Sequence, residues 1–371
     1  MKRRILLISF EYPMGKNYCG GVGRVVDKCR DKFLDMGHEV YVLISEKFQK
    51  KFPVTVLHPN GVLKKYSNFY QFRKEFPIIK FDYIIQHFVN WSRDLIKVKK
   101  HKGHRPKIIY HFHSILRREK ESGFKTLNRF LLDQEKMIEL ADTIVCPSRY
   151  EYNNFLRYFP DFRDKVVLLE NTVDIFPVDE EKVKNLKREH HINDGDIVSL
   201  YVGRIELIKG AHILIRYLPY ILKKFRKLKF FIVGKSLDAN LYRKLRKLLK
   251  KFPRQLFYIK YVDKHTLCQY YYLSEIYVNT SLSESFSLST HEAALCNNAL
   301  LLTDLPVFEK FKDGALFFSD YKGDGRDFII KFEHLISSKR YRHMLSQEAE
   351  NNTKHALSKN NLNQSLDKLI K

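Results

Sequence analysis

Short apolar runs alternate with longer amphipathic stretches along this chain. The first run, residues 4–10, is continuously apolar, which is typical of a parallel strand covered on both faces. A glycine-rich loop at residues 11–23, a predicted helix at 24–36 and a predicted strand at 39–44 follow it. A strand–loop–helix–strand unit of this kind indicates an α/β fold.

The alternation continues in two series, separated by a highly charged stretch at residues 175–196 that contains Pro177 and that we interpret as an interdomain connection. In the first series we predict further strands at 54–57, 83–87, 107–112, 143–146 and 166–169, and helices at 125–140 and 150–159. In the second we predict strands at 198–202, 229–233, 256–261, 276–279, 299–303 and 316–318, before a mostly helical tail at 328–371. The pattern predicts two doubly wound, Rossmann-like α/β domains in tandem.

Residues 281–298 carry the richest chemistry. A serine-rich turn containing Glu284 leads into a short predicted helix, on which Leu288, Glu292 and Leu295 share one face. Backbone N–H groups at a helix N-terminus form an anion site. Two carboxylates that accept hydrogen bonds from hydroxyls, beside a cradle for phosphate, suit a sugar nucleotide. The alternative is a serine cap with two solvated glutamates.

Two cations follow the first strand of the second series. Gly203 permits a turn there, and Arg204 and Lys209 can both reach the mouth of the sheet. An arginine fork and a lysine point charge beside a helix N-terminus could hold a diphosphate without a metal. The alternative is a pair of solvated cations.

The first series offers two further candidates. Gly20, Gly21 and Gly23 let the backbone approach a ligand closely, although a tight turn would need the same glycines. His113 follows the strand predicted at 107–112, at the end of the sheet where such folds bind ligands. We therefore predict that His113 contacts substrate; a capped loop residue is the alternative.

Composition narrows the class of protein. The 371 residues suffice for two domains, and 67 Lys+Arg against 42 Asp+Glu give a net charge of +25. That excess suggests nucleic acid, an anionic membrane or a phosphorylated acceptor as partner, with solvated lysines as the alternative. Five scattered cysteines argue against a disulfide framework or zinc site and fit a reducing cytosol. The apolar start ends at Glu11, too early for a signal peptide, and no run is long enough to span a membrane.

Together these segments resemble the family 4 (GT4-like) retaining glycosyltransferases of the GT-B fold. The matching motifs are Glu11-Tyr12-Pro13 with Gly20-Gly21-Val22-Gly23, Val202-Gly203-Arg204 with Lys209-Gly210, the E-x7-E motif from Glu284 to Glu292, Pro147-Ser148, and Asn171-Thr172-Val173-Asp174. The resemblance implies two Rossmann-like domains facing across a cleft. Residues 1–175 would form the acceptor domain and 190–354 the nucleotide-sugar donor domain, with a helix at about 355–371 packing back on the first.

The resemblance also implies roles for individual residues. Glu284, His113, Arg204 and Lys209 would be catalytic, with Glu284 touching the transferred sugar and His113 its far edge. The donor would be bound by Gly21, Arg204, Lys209, Ser285, Phe286, Ser287, Leu288 and Glu292, with Arg204 and Lys209 on the diphosphate and Glu292 on the ribose. The acceptor side would comprise Glu11, Tyr12, Lys16, Gly20 and Gly23. Serines stand at 285 and 287 where the family usually has glycines, which leaves the phosphate cradle and the choice of sugar open.

The leading hypothesis is a metal-independent retaining hexosyltransferase that needs no cofactor. It would move a sugar from a nucleotide sugar, with UDP favoured, to a glycan, lipid-linked or phosphorylated acceptor in cell-envelope glycan synthesis. We expect a cytoplasmic protein, and basic clusters at residues 73–74, 97–107 and 117–118 suggest peripheral attachment to an anionic membrane. The alternatives are a catalytically silent GT-B subunit and a basic nucleic-acid-binding protein. No nucleic-acid-binding motif is present, so nucleic acid is not the expected partner.

Overall fold

A computed structural model describes residues 2–13, 19–45, 53–89, 92–124, 126–319, 324–358 and 362–370. The chain forms two compact units. The first comprises Met1–Asn171 with Asn361–Lys371, and the second comprises Thr172–Asn360.

In the described part of the first unit, eight strands form one sheet in the order β4-β3-β2-β1-β5-β6-β7-β8. The strands are β1 (Arg4–Ser9), β2 (Glu39–Ile44), β3 (Val54–Leu57), β4 (Leu63–Tyr66), β5 (Tyr83–Gln86), β6 (Lys107–His111), β7 (Thr143–Cys146) and β8 (Val166–Leu168). The helices are α1 (Gly21–Asp35), α2 (Phe69–Glu75), α3 (Ser92–Lys99), α4 (Leu116–Glu121), α5 (Asn128–Leu140) and α6 (Arg149–Tyr158). Strand order reverses between β1 and β5, which makes the carboxyl ends of these strands the switch point where such sheets bind ligands.

The second unit has an entirely parallel sheet among its described residues, in the order β11-β10-β9-β12-β13-β14. Its strands are β9 (Ile197–Val202), β10 (Leu228–Val233), β11 (Leu256–Ile259), β12 (Ile276–Asn279), β13 (Ala299–Thr303) and β14 (Ala315–Phe318). Its helices are α7 (Glu180–Glu189), α8 (Ala211–Lys224), α9 (Ala239–Lys251), α10 (Lys264–Leu273), α11 (Leu288–Leu295), α12 (Arg326–Ser337) and α13 (Lys339–Ser358). Here the switch point lies between β9 and β12.

The chain then returns to the first unit with α14 (Leu362–Leu369), which packs on α1. Leu366 and Ile370 are buried there, and the Tyr83 hydroxyl donates a hydrogen bond to the carbonyl oxygen of Ile370. Since Tyr83 belongs to β5, this contact ties the last described residues to the middle of the first sheet.

The predicted fold class of two Rossmann-like α/β domains is confirmed, and the predicted strands agree with the observed ones to within two residues. Three expectations were wrong in detail. The α1 helix begins at Gly21, three residues earlier than predicted, so Gly21 and Gly23 lie in its first turn. The sequence did not predict β4, which pairs antiparallel with β3 at the sheet edge. The charged stretch at 175–196 contains α7, which packs on α10 as part of the second unit.

Candidate active site

The switch point of the second unit brings two polar loops together. Residues 203–210 leave β9, and residues 280–287 leave the neighbouring strand β12. The N–H of Leu282 donates to the carbonyl oxygen of Ile208 at 2.9 Å, so the loops are joined by their backbones. The carboxyl ends of two adjacent parallel strands therefore present the motif residues on one edge of the sheet.

Gly210 is required where these loops touch. Its φ is +65°, and a Cβ there would lie 1.6 Å from the carbonyl oxygen of Thr280. The Thr280 hydroxyl donates to the carbonyl oxygen of Gly210 at 3.0 Å. The buried Tyr201 hydroxyl lies 3.0 Å from the carbonyl oxygen of Lys209 and 3.2 Å from that of Arg204. Tyr201, which belongs to β9, thus contacts both ends of the loop at residues 203–210.

Lys209 and Glu284 form an ion pair. The Nζ of Lys209 lies 2.8 Å from Oε1 of Glu284, and the Ser281 hydroxyl donates to the same oxygen at 2.8 Å. Both charged side chains are partly buried. The sequence predicted separate roles for Lys209 and Glu284, whereas the structure joins them. A donor diphosphate would therefore meet a lysine that already has a carboxylate partner.

Arg204 has a different carboxylate. Its Nε lies 2.7 Å from Oε1 of Glu206, two residues along the same loop. Glu206 was not among the predicted site residues. Each predicted phosphate-binding cation is thus paired with a glutamate, and the glutamate orients the cation before any ligand arrives.

The turn before α11 uses a serine in a conformation that favours glycine. Ser287 has φ +65° and caps α11 at its N-terminus. Its hydroxyl lies 2.8 Å from that of Thr290 and accepts a hydrogen bond from Asn279 Nδ2 at 3.2 Å. Asn279 also accepts from the N–H of Ser281 at 2.8 Å. A buried polar network therefore holds Ser287, at a position where the family usually has glycine. Within it, Asn279 links Ser281 at the start of the turn to Ser287 at its end. Asn279 was not predicted from the sequence.

Three other predicted donor residues are placed around α11. Leu288 begins the helix, Ser285 is partly exposed just before it, and Phe286 is buried. The Phe286 ring stacks on His291 with centroids 4.1 Å apart. Burial and the charge of Lys310 hold the pKa of His291 well below its usual value, so the imidazole is neutral. Its Nδ1–H donates to the carbonyl oxygen of Ser287 at 2.8 Å, and this hydrogen bond stabilises the turn.

Glu292 lies on the buried side of α11. It is 1% exposed, and its Oε2 accepts a hydrogen bond from the Tyr271 hydroxyl at 3.1 Å. The carboxylate is covered by the protein rather than presented at the surface.

In the first unit, Glu11 caps the helix that the glycines begin. Its carboxylate accepts hydrogen bonds from the N–H groups of Gly20 at 3.1 Å and Gly23 at 3.0 Å. A Cβ on Gly20 would lie 2.8 Å from the Glu11 carboxylate, so the glycine permits this approach. Glu11 therefore occupies the N-terminus of α1, while Gly21, which the resemblance assigns to the donor, is exposed beside it.

Two other acceptor-side predictions have different outcomes. Tyr12 is buried, and its hydroxyl donates to Asp27 of α1. Burial raises the pKa of Tyr12 above its usual value, and the bond to Asp27 adds to the rise. Lys16 lies outside the described residues.

His113 belongs to a cluster of three imidazoles at the carboxyl ends of β5 and β6. Its Nε2 lies 3.2 Å from Nδ1 of His87, and the rings of His111 and His113 are nearly parallel with centroids 5.0 Å apart. Burial lowers the pKa of all three, that of His111 to about 4. Of the three, only His113 was predicted as a site residue, although His87 directly follows the neighbouring strand. Over the residues that the structure describes, no group of three His, Cys, Asp or Glu side chains could hold a metal ion.

Two family models match this chain, one in each half. The chain matches the family model described as glycosyl transferases group 1 over residues 182–352, and the model described as glycosyltransferase family 4 over residues 19–175. The first match includes all six strands of the second sheet, the second includes β2 to β8 of the first sheet, and together they cover most of the chain.

Two curated relatives are synthases of glycosylated lipids. The chain is 22% identical over 347 residues to alpha-monoglucosyldiacylglycerol synthase of Acholeplasma laidlawii, a match that covers 85% of this chain and 83% of that protein. It is 23% identical over 177 residues to alpha-galactosylglucosyldiacylglycerol synthase of Streptococcus pneumoniae. That second match spans 46% of each protein, so it reaches about half the length of the relative.

Solved structures give the same fold. Sucrose-phosphate synthase of Thermosynechococcus elongatus matches with a TM-score of 0.78 at 14% identity, over 99% of this chain and 98% of that one. The Anabaena protein HepE, solved in complex with UDP and glucose, matches with a TM-score of 0.68 at 13% identity, over 99% of both chains. With two Rossmann-like units and both family models matched, the chain belongs to the family 4 (GT4-like) glycosyltransferases of the GT-B fold.

Proposed function

We propose that this glycosyltransferase moves a sugar from a nucleoside diphosphate sugar, with UDP-sugar favoured, to a lipid-linked acceptor in cell-envelope synthesis. The observation that carries the proposal is the constellation of Lys209, Glu284 and Ser281 at the switch point of the second unit. It combines a cation for diphosphate with a carboxylate and a hydroxyl that suit sugar hydroxyls.

In the proposed donor complex, Lys209 and Arg204 stabilise the diphosphate as negative charge develops on the leaving group. Their glutamate partners keep both cations in place beforehand, which reduces the reorganisation that binding requires. The complex of HepE with UDP and glucose supports a uridine nucleotide. The two lipid glycosylation synthases among the relatives support a lipid acceptor.

The proposed reaction is a retaining displacement without a metal. The bond between the anomeric carbon of the sugar and the diphosphate oxygen breaks, and a bond from the acceptor oxygen to that carbon forms on the same face. The acceptor proton passes to the departing diphosphate, so nucleoside diphosphate and glycosylated acceptor leave as products. Glu284 orients a hydroxyl of the transferred sugar, and His113 contacts substrate through Nδ1, because its Nε2 faces His87.

A panel of UDP-, ADP- and GDP-sugars, scored by thermal shift, tests the donor. A donor at ~100 times its Kd adds ~2.7 kcal/mol to stability. Transfer to diacylglycerol in mixed micelles, with EDTA present, then tests the acceptor and metal independence, and NMR of the product gives its anomeric configuration. The absence of a shift with every nucleotide sugar would contradict the proposal, as would transfer that depends on a divalent cation.

A further inference from the structure

The outer face of α9 in the second unit carries an unusual concentration of positive charge. Its 13 residues include six cations and no acid: Arg243, Lys244, Arg246, Lys247, Lys250 and Lys251. The opposite, apolar face packs into the core through Leu241 and Leu245, which are 6% and 1% exposed. The helix is thus anchored by one face and displays cations on the other, where Arg243, Arg246, Lys247 and Lys250 line a shallow depression with Tyr242.

These charges have no acidic partner among the residues that the structure describes. Among the ion pairs of the described residues, none includes a cation of α9, and Arg243 reaches only the neutral side chain of Asn240. Arg246 and Lys247 each lie three or four positions from both Arg243 and Lys250, so like charges are neighbours and destabilise the helix. A surface that accepts such repulsion gains stability when an anionic partner covers it.

A lysine-rich composition does not explain this face, because α7 in the same unit is different. That exposed helix mixes three glutamates with four cations, and Arg188 lies 3.1 Å from Glu181. At the end of α8, Lys224 pairs with Glu333 at 2.7 Å. Both α7 and α8 therefore have a cation paired with a glutamate, whereas no ion pair of the described residues includes a cation of α9.

The basic clusters of the first unit are also partly neutralised. Lys99 and Arg105 both lie within 3.5 Å of Asp142, and Arg118 lies 2.6 Å from the buried Glu151. Burial raises the pKa of Glu151 to about 7, while the guanidinium beside it acts in the opposite direction. Part of the positive charge that was predicted to attach the protein to a membrane is therefore already paired with acidic side chains.

We propose that the cationic face of α9 docks the protein on an anionic lipid bilayer. Charge complementarity carries the proposal, and the exposed side chains of Leu237 (53%) and Tyr242 (36%) flank the cations with apolar groups suited to a headgroup layer. The choice of a lipid surface over other polyanions rests on the proposed function, in which the acceptor is lipid-linked. Because the apolar face of α9 is buried in the core, attachment is electrostatic and reversible rather than insertion of the helix.

Three matched variants of the full-length protein test this surface, and each removes three positive charges. The α9 variant is Arg243→Gln, Arg246→Gln and Lys247→Gln. The α7 variant is Lys184→Gln, Lys187→Gln and Arg188→Gln, and the first-unit variant is Lys97→Gln, Lys100→Gln and Lys102→Gln. Co-sedimentation with vesicles of 30% phosphatidylglycerol in phosphatidylcholine, at low salt, measures binding.

We expect the α9 variant to bind at least ~10-fold more weakly than wild type, while the other two change less than ~3-fold. Binding of wild type should disappear with neutral vesicles or at about 0.5 M salt. Equal losses in all three variants would reduce the effect to net charge and overturn the proposal. So would a loss confined to the first-unit variant, or tighter binding of wild type to duplex DNA than to the vesicles at the same salt.

Donor binding is measured separately in each variant. The thermal shift with the nucleotide sugar should be the same in the α9 variant and in wild type, because no α9 residue belongs to the switch point. A protein that binds vesicles through α9 but shows no shift with any nucleotide sugar would contradict the proposed function alone. A protein that shows the shift but ignores the vesicles would contradict the docking surface alone.

Discussion

At the scale of single residues, the site is built from pairs that lie far apart in the sequence. Lys209 and Glu284 are 75 positions apart, and His87 and His113 are 26 apart. In each pair one group fixes the charge or orientation of the other before substrate arrives. A substitution in either partner therefore changes two functional groups.

Replacing Lys209 by Met should abolish most of the donor-induced thermal shift and lower kcat/KM by ~100-fold or more, because it removes a phosphate cation and leaves Glu284 without that partner. Lys224→Met is the control, since it removes a lysine–glutamate ion pair of similar length on the exposed surface of the same unit. Lys224 lies 2.7 Å from Glu333. The test is to measure kcat/KM and the donor-induced thermal shift in both variants and in wild type. Equal effects would mean that Lys209 acts only as a surface cation.

The three imidazoles of the first unit should make it sensitive to acid. Burial keeps their pKa values below 6.5, so the unfolded chain binds more protons once the pH falls below that value. Stability should be steady above about pH 6.5 and fall as the pH drops below it, with His111 contributing roughly 1 kcal/mol per pH unit down to about pH 4. In His111→Phe the slope in denaturant unfolding should be shallower, whereas His101→Phe, at an exposed position, should match wild type. Equal slopes in wild type and His111→Phe would contradict this account.

Sequence reasoning identified residue types better than their partners. Arg204, Lys209 and Glu284 follow strands of an α/β sheet, and their chemistry could be read from their type and position. Their pairing with one another, or with Glu206, depends on side-chain directions that spacing does not encode. Asn279 is the last residue of β12 and His87 directly follows β5. Both were missed, although a buried polar residue at the end of a strand is a signal that could have identified them.

At the scale of elements, predictions failed where local preference and tertiary contact disagree. Glycine is a poor helix former, yet α1 begins at Gly21 because Glu11, ten positions upstream, accepts hydrogen bonds from the first amides. The β4 strand has three exposed residues and no alternating apolar pattern, so only its pairing with β3 defines it. Buried strands such as β9 and β13 were predictable, because a short, continuous apolar run is typical of a parallel strand that is covered on both faces.

Gly210→Ala should unfold or severely destabilise the second unit, because the added Cβ would meet the carbonyl oxygen of Thr280 at 1.6 Å as well as oppose a φ of +65°. Gly195→Ala is the matched control in the same unit: its φ is +84°, but the nearest atom is the mobile Nζ of Lys227 at 3.5 Å. Denaturant unfolding should show a loss of about 1 kcal/mol for Gly195→Ala and several times that for Gly210→Ala. Similar losses would show that the two loops separate easily.

At the scale of the whole molecule, the first unit is assembled from two separate parts of the chain. Residues 361–371 complete it after the chain has passed through the second unit. Leu366 is 1% exposed, and Ile370 receives the hydrogen bond from Tyr83. The stability of the first unit therefore depends on residues remote from the rest of it in sequence.

Leu366→Ala should cost ~2–5 kcal/mol, and the loss should fall on the first unit. Hydrogen exchange, measured by peptide, should quicken in β1 and β5, while β9 and β12 keep their protection. Leu237→Ala, at a leucine that is 53% exposed, should leave both sheets unchanged. Faster exchange confined to the second unit would contradict the assignment of α14 to the first.

The place of α14 also governs the order in which the protein can mature on the ribosome. At about 5–20 residues per second, the whole second unit is synthesised before α14 leaves the exit tunnel. During that interval the face of α1 and β5 that Leu366 and Ile370 later cover stays open to solvent. The first unit can therefore complete its fold only after the second unit has been synthesised. Until then, the apolar surface that α14 later covers is the surface that a chaperone would have to shield.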